Sequence, residues 1–161
     1  MSLDSDLQAE RVVLLTKEDE NYMNLLENII KEISTAFENQ EKENKDKEEI
    51  KKKYNGDEGK NGIYLLYNQK EVIYVGIVGE GKCTSFYHRM YAHGNGAHKR
   101  EDWFDEIKYF KYIRFPQFNK KELEAIEWLM IFYYEKPKYN NTGISKKECE
   151  EILNKLQTNQ T

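Results

Sequence analysis

Residues 62–78, GIYLLYNQKEVIYVGIV, hold two short runs of β-branched and aromatic residues on either side of a polar break. No other stretch constrains the fold as tightly. Ile63, Leu65 and Tyr67 alternate with Tyr64 and Leu66, the two-residue period of a strand, and Val72 to Val78 has the composition of its partner. A break this short joins antiparallel strands, so the segment is a hairpin. With Asn68, Gln69 and Lys70 as the loop, Tyr64 would stand directly opposite Tyr74. Side chains alternate along a strand, so both rings are expected on one sheet face, each near a glycine, Gly62 or Gly76.

The remainder of the 161-residue chain is uneven. A charged fraction of 34% against a hydrophobic fraction of 39% implies a compact part joined to a heavily solvated part. Residues 1–60 carry 10 Lys/Arg against 16 Asp/Glu, residues 61–141 carry 12 against 10, and residues 142–161 carry 3 against 3. The acidity belongs to the leader, and the mildly basic centre is weak electrostatic evidence for a phosphate-backbone ligand. Cys83 and Cys149 are far apart and have neither disulfide nor metal spacing. With no signal peptide and no apolar run that could span a bilayer, a cytoplasmic chain without a membrane partner is expected.

Thr16 opens a predicted leader helix with apolar residues at Tyr22, Leu25, Leu26, Ile29, Ile30 and Ile33. From Glu38 to Lys53 the sequence is almost purely charged. It reads as a solvated helix or connector that adds nothing to a packed core. Gly56 and Gly59 then break the chain, placing a boundary at residue 60. After the hairpin come a short helix from Thr84 to His93, a third strand from Ile107 to Phe115, and a helix capped by Asn119 with Glu122 and stopped before Pro137. Ser145 with Glu148 repeats the capping signature for a last helix. The expected organisation is a leader over 1–60, a domain over 61–141 and a C-terminal helix over 142–161. The expected fold class is α+β, a small three-stranded antiparallel sheet with flanking helices in the order ββαβα, plus accessory helices at both ends.

Chemistry concentrates in a few places. From Ile126 to Tyr134 the helix is apolar all round except at Glu127, so burial on nearly every side is expected. A carboxylate there needs a cation, a metal or hydrogen-bond donors. Glu127 is therefore either the buried partner of an arginine or a metal ligand at the floor of a cleft, with Glu124 one turn earlier as the alternative ligand. Arg89 and His93 are four residues apart and share a helix face. Cys83, His88, His93 and His98 recur every five residues, which turns each about 140° from the last on a helix and disfavours a zinc site. Lys82, Lys99 and Arg100 flank the Arg89 helix as candidates for contacts to a phosphate backbone. The aromatics from Trp103 to Phe118, interleaved with Lys108, Lys111 and Arg114, are expected to pack inward, with base stacking as the alternative.

Gly62-Ile63-Tyr64, Tyr74-Val75-Gly76, Arg89 with His93, Glu127 and Pro137-Lys138-Tyr139-Asn140 follow one another in that order. The set resembles the GIY-YIG nuclease family, over about half the chain. Val75 stands where the family name has Ile. Glu127 precedes Pro137 by a longer spacing than in common members, which leaves Asn140 and Asn141, and Glu127 and Glu124, as alternatives.

The resemblance implies a metal-dependent endonuclease acting on DNA, with RNA as a further substrate class. It makes Glu127 the ligand of one Mg²⁺ or Mn²⁺, Arg89 the grip on the scissile phosphate and Tyr64 the general base. His93 would accept or orient the Tyr64 proton, Tyr74 would line the pocket, and Asn140 would fix the phosphate or the loop. The accessory helices would serve docking, target choice or homodimerisation. The alternative is a catalytically weak or inactive nucleic-acid-binding module of a repair, recombination or restriction assembly.

Overall fold

The computed structural model describes residues 20–21, 23–79, 85–95, 103–141 and 143–158. In chain order they form helix α1 (residues 23–38), strand β1 (Glu43–Asn44), helix α2 (Lys47–Tyr54), strands β2 (Gly62–Tyr67) and β3 (Val72–Val78), and helix α3 (Phe86–Asn95). Strand β4 (Tyr109–Arg114), helix α4 (Lys120–Tyr133) and helix α5 (Lys146–Thr158) follow. Single 3-10 turns occur at Asp57–Gly59 and Phe104–Glu106. These elements divide into two units, one ending at Ala36 and one spanning Phe37–Thr161, rather than parting at residue 60. The sheet belongs to the second. Among the described residues no helix is long and apolar enough to cross a membrane.

The fold is α+β with flanking helices, as expected, but the sheet has four strands, not three. Its order is β1-β4-β2-β3 and every pairing is antiparallel. The extra strand, β1, has no strand signal in its sequence. Glu43 and Asn44 pair with Phe110 and Tyr109, and the Lys45 N–H donates to the Lys108 carbonyl at 3.2 Å. The free edge of β4 makes this strand, because its backbone groups need partners and the passing chain supplies them.

The charged run also contributes to the core. Asp46 caps α2, accepting from the Glu48 and Glu49 N–H groups at 3.0 and 3.2 Å. Ile50 and Tyr54, four apart on one face of α2, are only 1% and 6% exposed. The expectation that residues 38–53 add nothing to a packed core therefore fails. In an eight-residue helix one apolar pair at that spacing is enough to dock it, however charged the remaining positions are.

The hairpin register differs from the simplest reading. Tyr64 pairs with Gly76 and Leu66 with Tyr74, with an irregularity between Leu66 and Tyr67. The turn is closed from the Asn68 N–H to the Glu71 carbonyl at 3.1 Å, and the Asn68 side chain accepts from Lys70 and Glu71 N–H groups. A four-residue loop, residues 68–71, and one extra residue on the β3 side each shift the pairing by one position, so Tyr74 faces Leu66 rather than Tyr64. The two tyrosines share a face, but as diagonal neighbours rather than directly opposite.

Strand β2 is buried along its whole length. On the Tyr64 face, Tyr64, Leu66, Phe110 and Tyr112 meet Ile50 and Tyr54 of α2 and Phe86 and Met90 of α3. Phe86 sits at the centre, with ring centroids 4.9 to 5.4 Å from those of Phe110, Tyr112, Tyr64 and Tyr54. Helix α4 runs along β3 and β2 and buries Leu123, Ile126, Met130 and Ile131. Its other side faces solvent, with Trp128 53% and Tyr133 40% exposed, so the helix is not buried on nearly every side as its composition suggested. Both expected capping boxes form, Asn119 with Glu122 and Ser145 with Glu148. Lys111, one of the cations interleaved with the aromatics of residues 103–118, is buried and donates to the Phe37 carbonyl at 2.6 Å. Burial, then the Lys42 charge, lowers its pKa.

Replacing Ile50 by Ala is expected to lower stability by about 2–5 kcal/mol, the usual cost of emptying a fully buried aliphatic position. Urea denaturation of the full chain measures it. An unchanged midpoint would mean that α2 lies outside the cooperative core.

Candidate active site

The two Tyr–Gly pairs have a steric explanation. A Cβ on Gly76 would lie 2.3 Å from Cζ of Tyr64 and 2.4 Å from its hydroxyl oxygen. A Cβ on Gly62 would lie 2.6 Å from Cε2 of Tyr112 and 2.4 Å from the Ile113 carbonyl oxygen. Each glycine thus leaves the space that a ring from the neighbouring strand occupies. The Tyr64 ring lies across β3 at Gly76, and the Tyr112 ring lies across β2 at Gly62. Tyr64 is only 2% exposed, with the Phe86 ring 5.3 Å away and the Tyr74 ring 6.0 Å away, the latter inclined by 30°.

Burial dominates the electrostatics of this corner. It pushes the Tyr64 pKa well above the ordinary phenol value, and the Tyr74 hydroxyl adds to the shift both by its charge and by a hydrogen bond. The Arg89 guanidinium works in the opposite direction, and Glu127 raises the pKa further. Glu127 is half-buried, and burial lifts its pKa from 4.5 to about 7. Arg89 again opposes the shift, while Glu124, itself exposed on the preceding turn, reinforces it. Tyr74, Arg89 and Glu127 thus all act on Tyr64, and Arg89 acts on Glu127 as well, although the four lie on separate elements.

Arg89 is exposed on α3, whose first turn is fixed by Ser85. The Ser85 hydroxyl accepts from the His88 N–H at 3.3 Å and shares a hydrogen bond with His88 Nδ1 at 2.9 Å. This is an N-cap, and the serine is 1% exposed. His93 lies on the backbone of the same helix, but its side chain is outside the described residues. Lys82, Lys99 and Arg100 also lie outside them.

Asn140 is separated from Asn141 by burial, at 7% exposed against an exposed neighbour. Its side-chain amide accepts from the Val75 N–H and donates to the Val75 carbonyl, both at 2.9 Å. The Tyr139 N–H donates to the Ile73 carbonyl at 3.0 Å. Residues 139 and 140 thus pair with the open edge of β3 as a further strand would. With its amide oxygen and nitrogen both bonded to Val75, Asn140 holds the strand that carries Tyr74.

Trp103 and Tyr139 were not singled out by the sequence as site residues, yet both are half-buried beside Tyr74. The Trp103 ring is 5.3 Å from that of Tyr74 and 4.7 Å from that of Tyr139. No local pattern signals this, because residues 74, 103 and 139 meet only through the sheet and the segment that covers its edge.

Among the described residues no three His, Cys, Asp or Glu side chains converge. The donor set for a cation is one carboxylate whose burial Arg89 does not fully compensate. It fits a hard divalent ion that keeps most of its waters, and Glu127 is the residue that would hold it.

No protein-family profile matches the chain, and no curated protein does. Two solved structures are similar to it, both of the GIY-YIG N-terminal endonuclease domain of UvrC from Thermotoga maritima, as point mutants bound to a catalytic divalent cation. One has 22% sequence identity and a TM-score of 0.38, the other 20% and 0.37. Each alignment covers 52% of this chain and 86% of the other.

The raised pKa of Glu127 has a signed consequence. The folded chain keeps this proton up to about pH 7, whereas the unfolded chain releases it near 4.5, so between those values the folded state binds more protons. The contribution of Glu127 to stability therefore falls as pH rises through that window. In EDTA, the melting temperature of wild type relative to Glu127→Gln is expected to decline from about pH 5 to about pH 8. A difference that stays constant would contradict the burial assigned to the carboxyl.

Proposed function

We propose that the chain hydrolyses phosphodiester bonds of DNA with the help of one divalent cation, Mg²⁺ or Mn²⁺. The observation that carries this reading is the shared environment of Tyr64, Tyr74, Arg89 and Glu127, the residue types and order that the GIY-YIG resemblance requires. RNA is the other substrate class compatible with these groups.

Arg89, exposed beside the buried tyrosine pair, would take the scissile phosphate through its guanidinium fork and offset the charge that develops on it. Tyr64 would receive the proton of the attacking water, whose oxygen bonds to phosphorus as the bond to the leaving oxygen breaks. A phenol is protonated at neutral pH to begin with, and burial moves Tyr64 further from ionisation, so the role depends on positive charge beside it, which Arg89 supplies in part. Tyr74 would hold the Tyr64 hydroxyl in place by its hydrogen bond. His93 would orient or relay the Tyr64 proton, and Lys82, Lys99 and Arg100 would contact backbone phosphates. Glu127 would hold the cation, with Glu124 adding negative charge nearby. When bound, a divalent cation supplies Lewis-acid stabilisation of the leaving oxygen and further positive charge near the phenol. Asn140 would act through β3 rather than on the phosphate.

The strongly raised pKa of Tyr64 favours a second reading, a nucleic-acid-binding module with little or no cleavage. One assay separates the two. Full-length protein is expected to nick supercoiled plasmid with Mg²⁺ and not with EDTA. Glu127→Gln is expected to remain folded and bind the plasmid, yet lose cleavage by several orders of magnitude. A Glu127→Gln variant as active as wild type would remove the carboxylate from the site. Binding without cleavage by wild type would establish the second reading.

A further inference from the structure

Tyr74 sits on β3, the outermost strand of the sheet, and two residues along the same face is Gly76, which presents no side chain. The Tyr64 ring fills the space that a side chain there would take. Trp103 meets Tyr74 from a distant part of the chain. Its ring is 5.3 Å from Tyr74, inclined by 30°, and on its other side stacks on Tyr139 at 4.7 Å and 9°.

Tyr139 is tied down from three directions. Its N–H donates to the Ile73 carbonyl, its hydroxyl donates to the Glu106 carboxylate, and the Lys138 ammonium lies 4.9 Å from its ring centre. Glu106 also meets Lys138 at 3.6 Å. The Glu106 N–H in turn donates to the Trp103 carbonyl at 3.0 Å, so the turn carrying the indole is bound to the residue that braces it. The contacts form a closed circuit. It leaves β3 at Ile73, passes through Tyr139 and Trp103, and returns to β3 at Tyr74, the next residue. On the far side of Tyr74 lies the Tyr64 ring at 6.0 Å.

We propose that Trp103 is a positioning residue for the tyrosine pair, clamping the Tyr74 ring between itself and Tyr64 so that the Tyr74 hydroxyl holds that of Tyr64. The inference rests on the nuclease reading for its consequence in catalysis, though the clamp itself does not depend on that reading. Aromatic pairs at such distances attract one another beyond the effect of their buried area, which favours one ring orientation on an edge strand. Trp103 is half-buried and packs against the core cluster rather than within it, so its removal is expected to leave the sheet intact. Glu106 and Tyr139 serve the same end one step further out.

The test uses the full chain with Trp103→Ala and Trp103→Phe. In Mg²⁺-dependent plasmid nicking, the Ala variant is expected to lose kcat on the order of 10- to 100-fold, the usual cost of misplacing a reacting group, with KM nearly unchanged. The Phe variant, which restores a ring, is expected to recover most of the loss. In parallel, NMR of chains labelled in the tyrosine rings is expected to show Tyr74 and Tyr64 resonances moving in the Ala variant, while those of Tyr67 on the opposite sheet face stay in place. A raised KM with unchanged kcat, equal loss in both variants, or a Tyr64 resonance that does not move would overturn the assignment. If wild type cleaves nothing, the nuclease reading fails on its own, and the Tyr64 and Tyr74 resonances still decide whether Trp103 sets the pair.

Discussion

A tyrosine ring laid flat across a glycine governs this structure. The Tyr64 side chain needs the volume that any Cβ at Gly76 would fill, so the two strands can pair in only one register with the ring inside. That register sets Tyr74 diagonally beside Tyr64, with the Tyr64 ring covering Gly76 on this face of the edge strand. The consequences spread outward from there. Phe86 of α3 closes over Tyr64, which fixes the start of the helix carrying Arg89. Tyr139 and Asn140 cover the exposed backbone of β3 next to the same ring. A sheet edge left open would invite pairing with another chain, and here the covering segment also brings Tyr139 and Trp103 to Tyr74.

The same burial makes the corner chemically unusual. Two groups whose ionised forms are anionic, Tyr64 and Glu127, are both pushed toward their neutral forms by loss of solvent, and among the described residues the charge of Arg89 opposes both shifts. A stable core would normally avoid such a combination. Groups held away from their ordinary ionisation in a partly open corner are the usual mark of a site that works on a charged ligand. A phosphodiester beside Arg89 and a cation at Glu127 are a chemically matched pair of occupants, each of the sign that its residue lacks.

How much of this could be read from the sequence depended on whether the cause was local. The hairpin strands follow from alternation and β-branching, and the helices that begin at Asn119 and Ser145 follow from side chains that reach their own backbone three residues away. The order of the site motifs was readable for the same reason, since each sits within one element. Strand β1 was not, because its two residues are extended only where β4 offers free hydrogen-bonding groups. Helix α2 was misjudged because six charged or polar positions hide the single apolar pair that docks it. The register was missed because neither a loop one residue longer than the shortest reading nor one irregular residue in β3 can be seen in a periodic pattern. Lys111 and Asn140 show a further limit: residue type did not reveal that one is a buried donor to a carbonyl and the other a clamp on a strand edge. The tie from Trp103 to Tyr74 joins three distant segments and has no sequence signature at all.

The central claim is that Glu127, at the end of this chain of packing, is a cation site facing Arg89 and the tyrosine pair. Crystals of the full chain soaked in Mn²⁺ and measured at the manganese absorption edge test it without reference to activity. The account predicts an anomalous peak within coordination distance of the Glu127 carboxylate, about 2.0–2.3 Å, lost in Glu127→Gln crystals treated alike. Manganese bound elsewhere with none at Glu127, or a peak that persists in the variant, would contradict it.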